Sequence, residues 1–245
     1  MTDTVKGILV ENQLKLEAAL PPHINTGDFV RLALTEVQRT PRLAECDPQS
    51  VFLALMEAAR LGVVPGTLGH GWLLPRKVKG RLQCQFQPGY RLFIDLARRS
   101  GEVLRVDAHV VYEGDDFRMT YGTDPVLEHA PKITGERGPA LGAYAVAHLK
   151  GGGVQVTFMA TDEIEKARAA GAKDSPAWVT WWGEMAKKVV LRRASKLWPL
   201  SVEDQRVMDR VVRVDNTSEG FDAAASVEPA RPLLERAVTY TEGGG

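Results

Sequence analysis

Cysteine is scarce in this sequence, and long apolar runs are absent. The two cysteines, Cys46 and Cys84, are too few for a disulfide framework and form no CxxC pair. No apolar run approaches the roughly 20 residues that a membrane-spanning helix requires. The N-terminal residues also lack the basic and then apolar order of a signal peptide. These absences predict a soluble protein of a reducing cytosol that makes no contact with a membrane.

Signals of nucleotide hydrolysis and of metal binding are equally sparse. The glycine-rich run 64–71 lacks the GK[ST] ending of a phosphate-binding loop, and a tight turn between helix and strand accounts for it better. The five histidines form no HxxxH pair. The acids of EGDD at 113–116 leave a metal-dependent nuclease open as an alternative, although acids are common in hairpin turns. We therefore expect no cofactor, no metal and no catalytic residue.

The chain has no net charge, but its charges are segregated. The 31 basic residues balance the 31 acidic ones. Residues 215–245 hold six acids and two bases and are rich in Ala, Gly, Ser and Thr. This composition predicts a disordered acidic tail. Residues 1–214 are then expected to form a core that carries the compensating positive charge.

Much of that positive charge lies in the stretch 178–200, WVTWWGEMAKKVVLRRASKLWPL. No acid occurs between Glu184 and Glu203. On a helical wheel Lys188, Arg192 and Lys196 share one arc, with Arg193 at its edge, and apolar residues lie opposite. The pattern predicts one long helix with a buried face and a cationic ridge that suits a polyanion. Its tryptophans, spaced i, i+3 and i+4, are more typical of core anchors than of base-stacking platforms.

Periodicity elsewhere predicts an α+β domain. Helices are expected over 9–20, 28–38, 49–61, 90–99, 162–170 and 202–214. Alternating segments predict three hairpins, which pair 71–74 with 82–86, 103–112 with 117–121, and 143–149 with 154–159. Together these elements predict an antiparallel sheet built from hairpins and flanked by helices.

The predicted helix 90–99 has a polar face with two interpretations. Arg91, Asp95, Arg98 and Arg99 lie on one arc, and leucines and Phe93 lie on the other. This face is either the wall of a DNA groove or a solvated surface. In the second case Asp95 pairs with the arginines four residues away on each side.

Four blocks of this sequence, in the same order, resemble the RecT-type phage recombinases, which are single-strand annealing proteins. The blocks are LGHGWLLP (68–75), PGYRLFIDLARRSGEV (88–103), VVYEGDDF (110–117) and WVTWWGEMAKKVVLRRASKLWPLS (178–201). The resemblance spans roughly residues 15 to 210.

The resemblance implies an ATP-independent protein that binds single-stranded DNA, oligomerises as a ring or helical filament and anneals complementary strands to a duplex. It also implies a 5′–3′ exonuclease partner and a place in the bacterial host cytoplasm. The acidic tail is a candidate to compete with DNA or to recruit the host single-strand-binding protein. An RNA-binding oligomer is a further alternative. The candidate DNA-binding residues, from the resemblance and from charge, are Arg76, Lys77, Lys79, Arg81, Tyr90, Arg91, Arg98, Arg99, Lys187, Lys188, Arg192, Arg193 and Lys196.

Overall fold

A computed structural model describes residues 2–123, 125–171 and 175–219, and within them the chain has the predicted α+β fold with antiparallel strand pairs. The helices are α1 (Thr2–Glu11), α2 (Gln13–Ala19), α3 (Thr26–Arg39), α4 (Pro48–Arg60), α5 (Tyr90–Arg99), α6 (Thr161–Ala170), α7 (Pro176–Thr180), α8 (Trp182–Ser195) and α9 (Val202–Glu219), with a 3-10 helix over Pro41–Glu45. The strands are β1 (Gly71–Val78), β2 (Arg81–Pro88), β3 (Val103–Tyr112), β4 (Asp116–Thr120), β5 (Val126–Ala130), β6 (Ala140–Leu149) and β7 (Val154–Ala160). None of these helices is long and apolar enough to cross a bilayer.

Two of the three predicted hairpins are confirmed. β1 pairs with β2 through a turn at Lys79 and Gly80, and β6 pairs with β7. β6 also pairs with β3, which gives a three-stranded antiparallel sheet in the order β3-β6-β7. Helices α5, α6 and α8 pack against this sheet.

The predicted pairing of 103–112 with 117–121 is wrong. β3 pairs with β6 instead, and β4 forms a separate hairpin with β5, a strand that the periodicity does not indicate. The turn EGDD does join β3 to β4, but its Asp115 carboxylate is held by the side chains of His129 and Arg137 and by the backbone amide of Lys132. The turn residues therefore predict the turn correctly. Tertiary contacts, and not the turn, determine which strand pairs with β3.

The predicted long helix over 178–200 is two helices. The helix is interrupted at Trp181, whose φ of −128° and ψ of 44° lie outside the helical region. α8 begins at the next residue. α8 packs against α5, α6, α7 and all three strands of the central sheet. Because neighbours surround α8, it is buried on more sides than an amphipathic surface helix would be.

The last described helix passes the expected end of the core. α9 continues to Glu219, so the boundary predicted after residue 214 falls inside it. Asp215, the first residue of the predicted tail, has a fully buried side chain within this helix. Residues 220–245 of the predicted tail lie outside the described residues. The folded core therefore includes at least the first turn of what composition assigns to the tail.

Candidate nucleic-acid interface

A cleft of about 760 Å³ separates the β1–β2 hairpin and the start of α5 from the α7–α8 segment. Four chain segments that are distant in sequence meet around it. Its cationic lining residues are Arg42, Arg76, Arg91 and Lys188, and its aromatic ones are Trp72, Tyr90, Trp178 and Trp181. Cations beside exposed aromatic rings are the combination that binds the phosphates and bases of a single strand.

Of the predicted site residues, the cleft brings together Arg76, Tyr90, Arg91 and Lys188. Nη2 of Arg76 donates a 3.1 Å hydrogen bond to Oε1 of Gln87 on the neighbouring strand, which orients the guanidinium along the cleft wall. Arg91 is exposed at the start of α5 and lines the cleft, and its Nη1 donates a 3.5 Å hydrogen bond to the Leu68 carbonyl oxygen. These two are the predicted arginines that line the cleft.

The other cations of the hairpin lie at its tip. Lys77, Lys79 and Arg81 are all exposed, and Lys79 occupies the turn with a positive φ of 49°. They do not line the cleft. Their position makes the hairpin tip a separate cationic surface.

Arg98 and Arg99 lie at the far end of α5. Eight residues of helix place Arg99 about 12 Å along the axis from Arg91. Nε of Arg99 lies 3.4 Å from the Asp95 carboxylate, so the paired interpretation of this face is confirmed for Arg99. Neither arginine lines the cleft.

Lys188 and Arg192 do not form the predicted solvent-facing ridge. Nζ of Lys188 lies 2.6 Å from Oδ1 of Asp215, and Nη1 of Arg192 lies 3.2 Å from Oδ2 of the same carboxylate. Nε2 of Gln87 donates to Oδ1 of Asp215 as well, at 3.1 Å. These contacts tie α8, α9 and β2 together, because a buried charge is stable only when it is paired.

The remaining cations of α8 are divided between ion pairs and solvent. Lys187 pairs with Glu184 at 2.7 Å, and Arg193 pairs with Glu163 of α6 at 2.7 Å. The hydrogen bond from Arg193 lowers the pKa of the Glu163 carboxyl. Lys196 is exposed. The predicted cationic ridge is therefore largely neutralised, by Glu184 in the first turn of α8 and by acids from α6 and α9.

Comparison with known proteins identifies the family. Residues 27–228 match the model of the RecT family. The chain belongs to the RecT family. Protein RecT of Escherichia coli (strain K12) is 42% identical to it over 200 residues, which cover 79% of this chain and 74% of that protein. The uncharacterized protein YqaK of Bacillus subtilis (strain 168) is 30% identical over 182 residues, 74% of this chain and 61% of that protein.

Membership of the RecT family assigns the chain to DNA recombination by single-strand annealing, as a DNA-binding recombinase of the phage type. The resemblance that the four sequence blocks indicate is thereby confirmed. Three of those blocks supply residues to the cleft, from 68–75, 88–103 and 178–201. Three of the four motifs that carry the family resemblance therefore meet at the cleft.

The third block contributes to structure in this RecT-family chain. The Asp115 side chain is fully buried and accepts two hydrogen bonds from Arg137, at 2.9 and 2.6 Å, and one from the Tyr112 amide. His129 lies 3.1 Å away, and its other ring nitrogen is 3.2 Å from the Tyr144 hydroxyl. Within the described ranges no three potential ligands from His, Cys, Asp and Glu gather as a metal site would need. The turn joins β5 and the loop after it to the end of β3 in the central sheet.

The sequence patterns miss two residues of the cleft and misplace a third. Arg42 lies in the 3-10 helix, where a single arginine after Pro41 gives no signal. Trp72 lies in LGHGWLLP, the first block of the family resemblance, but no charge pattern marks it as a binding residue. Trp181 is predicted to be a core anchor, yet 65% of its surface is exposed, because the helix break turns it outward. Trp178 is buried as predicted.

Proposed function

We propose that this protein binds single-stranded DNA in the cleft and anneals complementary strands without ATP, acting as an oligomer in the host cytoplasm. The observation that carries the proposal is the convergence of Arg76, Arg91, Trp72 and Trp181 on one cleft in a RecT-family chain. The cations contact phosphates and the strand is held without reading its sequence. A second strand then pairs with the first, and base pairing supplies the free energy.

Arg76 and Arg91 are the principal phosphate ligands in this proposal. Arg76 keeps Nη2 on Gln87 and lines the cleft, so its charge lies within reach of a bound phosphate. Lys188 adds positive potential from the cleft floor while Asp215 holds it in place. The hairpin-tip cations Lys77, Lys79 and Arg81, together with Arg98, Arg99, Lys187, Arg192, Arg193 and Lys196, are assigned to the wider electrostatic surface or to contacts between subunits.

Oligomerisation as a ring or helical filament would multiply these contacts. Each subunit contributes a few weak phosphate contacts, and connecting subunits along one strand raises the effective concentration of every further site. A 5′–3′ exonuclease is the partner class that supplies the single strand. Size-exclusion chromatography with light scattering, with and without an oligonucleotide, tests the oligomer; a monomer under both conditions contradicts it.

A strand-annealing assay tests the proposed function. Two complementary oligonucleotides carrying a fluorophore and a quencher are mixed without nucleotide, with wild type or with Arg76→Ala/Arg91→Ala. We expect the double variant to anneal slowly, and its slope of log affinity against log salt to fall by about 0.7 for each phosphate that the protein no longer neutralises. The matched control, Arg31→Ala/Arg60→Ala, removes two exposed arginines that do not line the cleft.

Two outcomes separate the alternatives. A metal-dependent nuclease would degrade the labelled strands in magnesium, whereas an annealing protein leaves them intact. An RNA-binding oligomer would bind an RNA strand but fail to accelerate the annealing of DNA. A wild-type protein that neither binds nor anneals single-stranded DNA overturns the proposal.

The acidic tail is proposed to compete with DNA for the cations or to recruit the host single-strand-binding protein. Truncation must spare Asp215, which the fold requires, so the chain is cut after Glu219. We expect the truncated protein to bind DNA more tightly or to lose the partner. Unchanged DNA affinity together with unchanged partner binding removes both roles.

A further inference from the structure

Two tryptophans of the cleft are exposed although tryptophan is normally buried for most of its surface. Trp72 of β1 is 41% exposed and Trp181 is 65% exposed, and they line the cleft from opposite sides. Trp178 and Trp198, close to Trp181 in sequence, are 2% and 4% exposed. Strong exposure is therefore a property of Trp72 and Trp181 and is not shared by Trp178 and Trp198.

The Trp72 ring is held in place by glycines. A Cβ added to Gly89 would lie 2.8 Å from the ring and would collide with the carbonyl oxygen of Gly69. The ring therefore rests against the bare backbone at the start of α5. Gly69 has a left-handed φ of 72°, and its missing side chain leaves room for Arg91, whose Cδ lies 3.2 Å from the position of a Cβ. Gly89 and Gly69 thus leave room for the Trp72 indole and the Arg91 side chain on the same wall of the cleft.

Trp181 is exposed on a fixed backbone. Its amide donates to the Ala177 carbonyl at 2.9 Å, and its own carbonyl accepts from the amides of Glu184 and Met185 at 3.0 and 3.1 Å. These bonds close α7 and open α8, so the residue cannot shift without disturbing both helices. The indole is consequently presented to the cleft from a rigid position.

We propose that Trp72 and Trp181 are stacking platforms for the bases of the bound strand, an inference that rests on the proposed binding of single-stranded DNA in this cleft. Aromatic rings flanked by Arg76 and Arg91 match a ligand in which planar bases alternate with phosphates. Stacking engages the faces of the bases and leaves their pairing edges free, which annealing requires. It is also independent of sequence, because every base has a face.

The platforms distinguish a single strand from a duplex. In a duplex each base is already stacked on its neighbours, so no face is available to an indole. The stacking contribution is therefore present for the bound single strand and lost for the annealed product. The two tryptophans consequently favour binding of the substrate strand over retention of the product.

An abasic strand separates stacking from phosphate binding. Affinities are measured by fluorescence anisotropy for an oligothymidylate and for an abasic deoxyribose-phosphate chain of equal length. Wild type, Trp72→Ala, Trp181→Ala and their phenylalanine counterparts are compared. Each alanine variant is expected to bind the oligothymidylate about 5- to 150-fold more weakly. Binding of the abasic chain and the salt slope should stay unchanged, and phenylalanine should restore most of the loss.

The control is Tyr121→Ala, which removes an aromatic side chain that is 63% exposed outside the cleft. Alanine variants that bind both ligands as wild type does, or that lose both equally, overturn the stacking proposal. Trp181→Ala is decisive if Trp72→Ala fails to fold, because the Trp181 side chain is largely in solvent. A wild type that anneals DNA but binds intact and abasic strands equally overturns stacking alone. A wild type that binds neither overturns the proposed function too.

Discussion

Nζ of Lys188 lies 2.6 Å from Oδ1 of Asp215, with the lysine side chain 8% exposed and the carboxylate fully buried. Arg192 reaches the other oxygen of the same carboxylate. This cluster joins the central helix α8 to α9 across 27 residues of sequence. Its position beside the cleft means that the cations with the strongest sequence signal for DNA binding also hold the fold together.

We predict that removing either partner of this pair destabilises the protein. Asp215→Ala should lower the free energy of unfolding by about 3–5 kcal/mol, because it removes the carboxylate that both Lys188 and Arg192 contact. Lys188→Ala should cost less, because Arg192 and Gln87 still contact that carboxylate. The apolar triple variant Lys188→Met/Arg192→Met/Asp215→Leu removes all three charges and should recover a large part of the loss seen in Asp215→Ala. Urea denaturation followed by circular dichroism measures all three.

The control for that cycle is the exposed pair of Lys166 and Asp162 on α6, 3.6 Å apart. Lys166→Ala should leave the urea midpoint nearly unchanged, since solvent screens such pairs. A Lys188→Ala protein as stable as wild type would contradict the assignment. These measurements also matter for DNA-binding tests. An alanine variant at position 188 or 192 can lose DNA binding because it is unfolded, so its stability is measured first.

Elements whose signals are local follow the sequence closely. α5 spans the predicted residues 90–99, because its apolar arc and the glycine after it are both local. α4 begins as predicted, with the Asp47 side chain accepting a hydrogen bond from the Gln49 amide and Pro48 in the first turn. Neither needs information from the rest of the chain.

Elements whose partners are distant do not follow the sequence. β3 takes β6 as its partner instead of the adjacent strand, and no turn signal encodes that choice. The charge pattern of α8 predicts a ridge because Asp215, which neutralises two of its cations, lies more than 20 residues away. The cleft itself is assembled from four segments, so Arg42 could not be assigned to it from local patterns.

A second prediction concerns the close approach at Gly89. Gly89→Ala introduces a Cβ that meets the Trp72 ring and the carbonyl oxygen of Gly69. Such overpacking costs about 1–3 kcal/mol, and it should displace Trp72 and weaken binding of single-stranded DNA. Urea denaturation and anisotropy measure the two effects. Gly7→Ala in α1 is the matched control; its Cβ meets nothing within 4 Å and alanine favours a helix by about 1 kcal/mol. Equal stability of the two variants would contradict the packing argument.

A third prediction follows from the burial of both thiols. Burial raises the pKa of Cys84 to about 12 and also raises the pKa of Cys46. With a pKa near 12, about 10⁻⁴ of the Cys84 thiol is ionised at pH 8, and the thiolate is the reactive form. Thiol-specific labelling of the native protein at pH 8 should therefore be slow, and both cysteines should react once the protein is unfolded. Rapid native labelling that Cys84→Ala abolishes would show that this strand is accessible.

The fourth prediction is a pH dependence that comes from Asp115. Its hydrogen bonds from Arg137 lower the pKa of the carboxyl well below the usual range, against the opposing effect of burial. In the unfolded chain the pKa of the same carboxyl is about 3.9. The folded protein thus binds this proton less readily than the unfolded chain does. The stability that Asp115 contributes is therefore fully present at pH values above the pKa of the unfolded chain. It is lost as the pH falls toward the lowered pKa of the folded state.

Asp115→Asn removes this titration. The variant should have a lower urea midpoint than wild type at pH 7, because it replaces a carboxylate that Arg137 and His129 contact. The difference between the two should narrow as the pH is lowered below about 4. Asp116→Asn, which alters the neighbouring exposed carboxylate, controls for the added amide. A difference between wild type and Asp115→Asn that stays constant from pH 7 to the acid limit would mean that the Asp115 carboxylate is not stabilised in its charged form by this network.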